Sequence, residues 1–125
     1  MISAIQALYV HDRIIEKTGG RHGIRDVGLL ESALASPFAT FDGKDLYGDV
    51  FTRAGALMFG IVRNHPFVDG NKRTGITLTA IYLEAEGWHL VAKNELVVQF
   101  TNGVAEGKID EPRMAEWFRQ HTRHG

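Results

Sequence analysis

The sequence predicts an all-α domain of about six helices around a central buried helix. Three observations carry this. Apolar residues recur at three- and four-residue spacing along most of the chain. Good capping and stopping residues bracket each periodic stretch. No long β-branched run occurs, which argues against a parallel-sheet core.

The first stretch holds Ile2, Ile5, Leu8, Tyr9, Asp12, Ile14 and Ile15 and stops at Gly19-Gly20. Asp26 is an N-cap for a short helix with Leu29, Leu30, Ala33 and Leu34, which Ser36-Pro37 ends. Residues 38–49 break the period. Asp42-Gly43 stands there between apolar stretches, with Phe38, Phe41 and Tyr47 interleaved. This reads as a short β-hairpin flap or as a surface loop that tucks its aromatics onto the core.

Asp49 caps a third helix with Val50, Ala54, Leu57, Met58, Ile61 and Val62, which ends near Asn64 because Pro66 disfavours helical geometry at His65. A fourth helix runs from about Asn71 to Gly87. It is apolar on more than one side, the pattern of the central buried helix. Trp88 to Val91 reads as a short extended piece. Asn94 reads as the cap of a helix with Leu96, Val97, Phe100 and Val104, closed by Gly107. Asp110 caps the last helix, with Pro112 in its first turn and Met114, Trp117 and Phe118 inward.

Composition bounds the function. With 44% hydrophobic and 23% charged residues, the 125-residue chain can fold as one domain over 1–125. Cysteine is absent, which excludes disulfides, thiolate zinc sites and cysteine nucleophiles. Lys plus Arg is 14 and Asp plus Glu is 15, a net charge of −1, so no nucleic-acid or anionic-membrane partner is expected. Met1 to Gln6 lack a basic stretch followed by an apolar one, and no apolar run approaches the ~20 residues of a membrane span. The expectation is a soluble cytoplasmic protein.

The chemistry concentrates in His65 to Gly75, between the third and fourth helices. The opening turn of a helix has unpaired N–H groups and a positive dipole end, so it can hold an anion. Gly70 lets backbone approach a ligand. Lys72 and Arg73 oppose the dipole in that first turn, so helix stability does not explain them, whereas phosphate binding does. His65 is a titratable base and Asp69 a carboxylate able to hold Mg²⁺. Phe67 reads as the buried anchor of a rigid loop. Singly, these are a capped histidine, a common Asp-Gly-Asn turn and solvated cations. Together they make a phosphoryl- or nucleotidyl-transfer site. A P-loop fails, because Ile76 stands where its lysine belongs.

Other polar groups have plainer readings. His11, Asp12 and Glu16 form a polar stripe on an amphipathic helix rather than a metal site. His121-Thr122-Arg123-His124 reads as a solvated tail. Trp88, Trp117 and Phe118 read as core.

The central segment resembles the Fic motif, H-x-F-x-[D/E]-G-N-G-R-x-x-R, through His65, Phe67, Asp69, Gly70, Asn71 and Arg73. It is most similar to the Doc (death-on-curing) branch, H-x-F-x-D-[A/G]-N-K-R-T. Gly19-Gly20, Gly23-Ile24-Arg25-Asp26 and Gly28 to Ala33 are similar too. The resemblance implies the Fic fold. It makes His65 the general base and Asp69 the Mg²⁺ ligand. Gly70, Asn71, Lys72 and Arg73 become the cradle for ATP. Phe41 to Tyr47 falls where the family's target-aligning flap lies.

Two departures from the AMP-transferring relatives matter. Lys72 replaces a glycine, and Ile76 replaces a second arginine. In the Doc branch the first change goes with transfer of the γ-phosphoryl group to elongation factor Tu, which arrests growth. The resemblance therefore implies a toxin of a toxin–antitoxin module. AMP transfer to a protein hydroxyl, or a catalytically inactive interaction protein, are the alternatives. An RNA-cleaving toxin has no support in the charge balance. The family's inhibitory pattern, [S/T]-x-x-x-E-[G/N], is not met at Glu86 or Glu106, where Tyr82 and Asn102 stand four residues earlier. Control by a Phd-like antitoxin in trans is the expectation.

Overall fold

Caps set most helix boundaries where the sequence places them. A computed structural model describes all residues from Met1 to Gly125. Ser3 caps α1 (Ala4–Thr18) in a reciprocal box with Gln6. Asp26 caps α2 (Val27–Ala35), accepting from the Leu29 N–H at 3.0 Å. Asp49 and Thr52 form the box of α3 (Val50–Val62). Gly70 precedes α4 (Asn71–Ala85), and Asp110 caps α6 (Glu111–Gln120). α5 (Asn94–Ala105) differs from expectation. Asn94 is its first helical residue, and Lys93 at the cap position makes no side-chain bond.

The segment 38–49 is a hairpin after a single 3-10 turn, Ser36–Phe38. β1 (Thr40–Phe41) pairs antiparallel with β2 (Lys44–Asp45). Asp42 and Gly43 take φ of 54° and 78°, as a two-residue turn of this hand requires. Phe41 is 76% exposed rather than tucked inward. Arg53 on α3 ties the hairpin down, donating to the Tyr47 carbonyl at 3.3 Å and to Asp45 at 3.1 Å.

The central helix is α3, where the sequence points to α4. Most of α3 is buried, including Ala54, Leu57, Met58, Ile61 and Val62, and it packs against α2, α4 and α6. Small residues allow this. A Cβ on Gly60 would lie 2.7 Å from the Cβ of Ala33 on α2, so only glycine fits there. α4 buries Leu78, Tyr82 and Leu83 on one side, while Ile76 and Ala80 line a cleft on the other. Its second apolar side thus faces a cavity instead of a neighbouring helix.

Two other expectations change. On α1 the inward residues are Ala7, His11 and Ile15, spaced by four, while Ile5 is 82% exposed. His11 therefore leaves the polar stripe for the interior. The tail 121–124 is also ordered. β3 (Trp88–Leu90) pairs antiparallel with β4 (Thr122–His124), and the His124 ring packs on Trp88 with centroids 4.7 Å apart. His121 Nδ1 meets the Trp117 carbonyl at 2.8 Å, so its ring belongs to this packing. Phe118 is fully buried, and Trp117 stacks on Phe100 at 4.0 Å. No helix is long and apolar enough to cross a membrane.

Two substitutions test this packing. Gly60→Ala should destabilise the fold by about 1–3 kcal/mol in urea denaturation, because the helix contact cannot open without cost. Asp49→Ala should cost about 1 kcal/mol at neutral pH. The Thr52 backbone N–H holds the Asp49 carboxyl below the usual range, with the nearby Arg119 adding to this. A depressed folded pKa gives stability above the unfolded value that is lost as pH falls through the folded one. The deficit of Asp49→Ala should therefore shrink in melts carried out below about pH 4.

Candidate active site

The loop between α3 and α4 is held by backbone bonds on one side and a buried ring on the other. The Pro66 carbonyl accepts from the Arg25 and Asp26 N–H groups at 2.7 and 3.0 Å, and the Val68 N–H donates to Gly23 at 3.0 Å. Arg25 also forks its guanidinium onto the carbonyls of Asn64 and His65, both at 2.7 Å. This brace fits the left-handed φ of 52° at His65, uncommon for a non-glycine residue. His65 itself is exposed and lines the cleft.

Phe67 is fully buried, as the sequence indicates. The Asn71 side chain closes a ring with its backbone. Asn71 Oδ1 accepts from the Phe67 N–H at 2.9 Å, and Asn71 Nδ2 donates to the Phe67 carbonyl at 3.0 Å. The amide of Asn71 is thus committed to the loop, which leaves its backbone N–H for a ligand.

Asp69 is exposed. Its Oδ1 accepts from the Gly70 N–H at 2.9 Å and its Oδ2 from the Arg21 N–H at 3.2 Å. Gly70 turns the chain into α4 at φ 75°, and a Cβ there would sit 2.9 Å from the Ile15 side chain. No side chain caps α4, and the N–H groups of Asn71, Lys72 and Arg73 have no acceptor in the fold. Lys72 Nζ donates to the side-chain Oδ1 of Asn102 at 3.4 Å. Neither Lys72 nor Arg73 pairs with a carboxylate. Two cations without a carboxylate partner and three free N–H groups thus share one helix end.

All six site residues singled out in the sequence, His65, Asp69, Gly70, Asn71, Lys72 and Arg73, line one cleft of about 1320 Å³. Its far walls come from α1 and α5. Val97, Val98 and Ala105 make it partly apolar, while Thr101 and Asn102 supply polar groups. Such a mixed cleft suits a small molecule with a flat apolar part and an anionic part.

The donor set fits a nucleotide-bound Mg²⁺ better than a free-standing metal centre. No group of three His, Asp or Glu side chains converges anywhere in the chain. Mg²⁺ commonly takes one or two carboxylates and completes its shell with water and substrate phosphates. Asp69 beside an anion cradle offers that arrangement.

The model of the Fic/DOC family matches residues 2–83 of the chain. The chain belongs to the Fic/DOC family. Among Fic/DOC relatives, it is 43% identical over 74 residues to Toxin Doc of Mycolicibacterium smegmatis, which covers 59% of this chain and 57% of that protein. The match thus spans little more than half of that relative. It is 28% identical over 119 residues to Protein kinase doc of Escherichia phage P1, covering 95% of this chain and 93% of that protein. The mostly helical fold with its short hairpin agrees with the family.

Two residues around this Fic/DOC loop escape a reading by motif, Arg25 and His11. Arg25 lies inside the similar Gly23 to Asp26 piece, but only the fold shows where its guanidinium goes. His11 had one signal, its place midway between Ala7 and Ile15. Gly70→Ala should lower stability by about 1–2 kcal/mol through its left-handed backbone alone, with the Ile15 contact adding to this. Urea denaturation reads that loss.

Proposed function

We propose that this chain is a Doc-like toxin that phosphorylates a protein hydroxyl from ATP. The observation that carries the reading is the shared cleft, with a base and a carboxylate at an uncapped helix end bearing two unpaired cations. In the proposed reaction, His65 takes the proton of a Ser or Thr hydroxyl. The oxygen forms a bond to the γ-phosphorus, the bond from that phosphorus to the β-bridging oxygen breaks, and ADP leaves. Lys72, Arg73 and the three free N–H groups stabilise the charge that spreads over the phosphoryl oxygens. Asp69 would hold Mg²⁺, which supplies charge neutralisation on the phosphates when bound.

Lys72 favours phosphoryl over AMP transfer. Its side chain extends across the cleft toward Asn102 and occupies room beside the helix end. Ile76 lines the same cleft without a second cation. The hairpin supports a protein substrate. Its two-stranded edge, with exposed Phe41 on β1 and exposed Leu46 just after β2, suits main-chain pairing with an extended peptide.

Elongation factor Tu is the substrate the family resemblance favours, and a cytoplasmic reaction is proposed with it. A Phd-like antitoxin acting in trans is the proposed control. In support, no internal carboxylate covers Lys72 or Arg73, and Glu106 pairs instead with Lys108 at 3.0 Å.

Labelled ATP tests the reaction. With Mg²⁺ and a cell extract, label from the γ-phosphate should appear on a protein the size of elongation factor Tu. Label only from the α-phosphate would establish AMP transfer instead. No label from either position would leave an interaction protein. His65→Ala should lower the transfer rate at least ~100-fold, the usual scale for a general base. Asp69→Ala should abolish growth arrest on expression while the thermal midpoint stays near that of the parent.

A further inference from the structure

His11 lies 58 positions before Asp69 in the chain, yet the two meet. The imidazole is fully buried, and its Nε2 lies 2.8 Å from the Asp69 carbonyl oxygen. A carbonyl only accepts, so Nε2 carries the proton and donates. The ring lies flat on Phe67, with centroids 4.0 Å apart and planes 6° apart. Its other nitrogen, Nδ1, is buried with no hydrogen-bond partner. The nearest acid, Asp12, is 3.7 Å away, beyond bonding length, and that carboxylate instead meets His22 at 3.0 Å.

Packing alone does not account for a histidine here. Phenylalanine or leucine would fill the space without stranding a buried nitrogen, and stranding one is unfavourable. What the imidazole adds is the bond to Asp69. That carbonyl and the Gly70 N–H are the two ends of one planar peptide unit. The Gly70 N–H in turn holds Asp69 Oδ1 at 2.9 Å. Turning the peptide plane therefore turns the carboxylate. Phe67 fixes the ring, the ring fixes the plane, and the plane aims the acid.

We propose that His11 is a positioning residue that sets the orientation of the Asp69 carboxylate toward its metal ion through the Asp69–Gly70 peptide. This rests on the reading of Asp69 as the metal ligand. It assigns His11 no proton transfer and no contact with substrate.

Two variants separate the hydrogen bond from the stacking. His11→Phe keeps a flat ring on Phe67 and removes the donor. His11→Gln removes the ring and keeps an N–H donor at similar reach. Both are compared with the parent and Asp69→Asn in ¹⁵N-labelled protein. The readouts are the hydrogen-exchange rate of the Gly70 amide and the Mn²⁺ concentration that broadens the amides of residues 68–72.

In His11→Phe, exchange at Gly70 should rise and the Mn²⁺ midpoint should increase roughly tenfold or more, the usual effect of losing a partner behind a metal ligand. His11→Gln should return both toward the parent. Parent-like values in His11→Phe would overturn the proposal, as would a His11→Gln as impaired as His11→Phe, which would leave only packing. If His11→Phe does not fold, His11→Gln decides alone, and a raised Mn²⁺ midpoint in the folded variant counts against it.

The phosphoryl-transfer reading fails separately. A parent that binds Mn²⁺ at these amides but transfers no label loses the reaction and keeps the positioning role. A parent whose 68–72 amides ignore Mn²⁺, like Asp69→Asn, loses both the metal ligand and this proposal.

Discussion

Burial of one ring, Phe67, is the constraint on which the active loop depends. A loop between two helices normally runs over the surface, because buried backbone leaves polar groups unpaired. Here Phe67 is drawn fully inside, and its N–H and carbonyl are both satisfied by the Asn71 amide. The flanking carbonyls of Asn64, His65 and Pro66 are met by the segment around Arg25. With its backbone paired, the loop can dip into the core at one residue while His65 and Asp69 stay exposed. Rigidity at the anchor and access at the reactive groups thus follow from the same contact.

The electrostatics are local for a physical reason. A net charge of −1 gives no broad field to attract polyanions. At the start of α4, however, the free N–H groups, Lys72 and Arg73 add their charges over one helical turn. Cations at that end are unfavourable to the helix itself. An anion in the cleft would offset that cost, which is the electrostatic support for the proposed phosphate site. Asp69 stands beside that turn without pairing either cation.

The division of labour between α3 and α4 makes room for this cleft. α3 takes the centre, where Gly60 permits contact with Ala33 at the distance of touching backbones. α4 is then free to give one face to the core and the other to the cleft. Apolar residues on that second face, such as Ile76 and Ala80, resemble core in a sequence because a lined cavity and a packed interior call for the same side chains.

What the sequence determined by itself was local. Asp26, Asp49 and Asp110 start their helices because a short carboxylate reaches the N–H three residues on. Asp42-Gly43 makes the hairpin turn because both residues tolerate positive φ. The grouping of His65, Asp69, Gly70, Asn71, Lys72 and Arg73 at one cleft was legible because all six lie within one short stretch. Tertiary structure decided what depends on distant partners. It placed α3 at the centre, folded residues 122–124 onto Trp88 as a strand, and left Asn94 inside its helix instead of capping it. It also moved His11 from an apparent polar stripe to the back of Asp69. Periodicity reports which side chains share a face, but not which face meets the core. That choice belongs to the contacts between elements, and here it set both the depth of the cleft and the residues behind the acid.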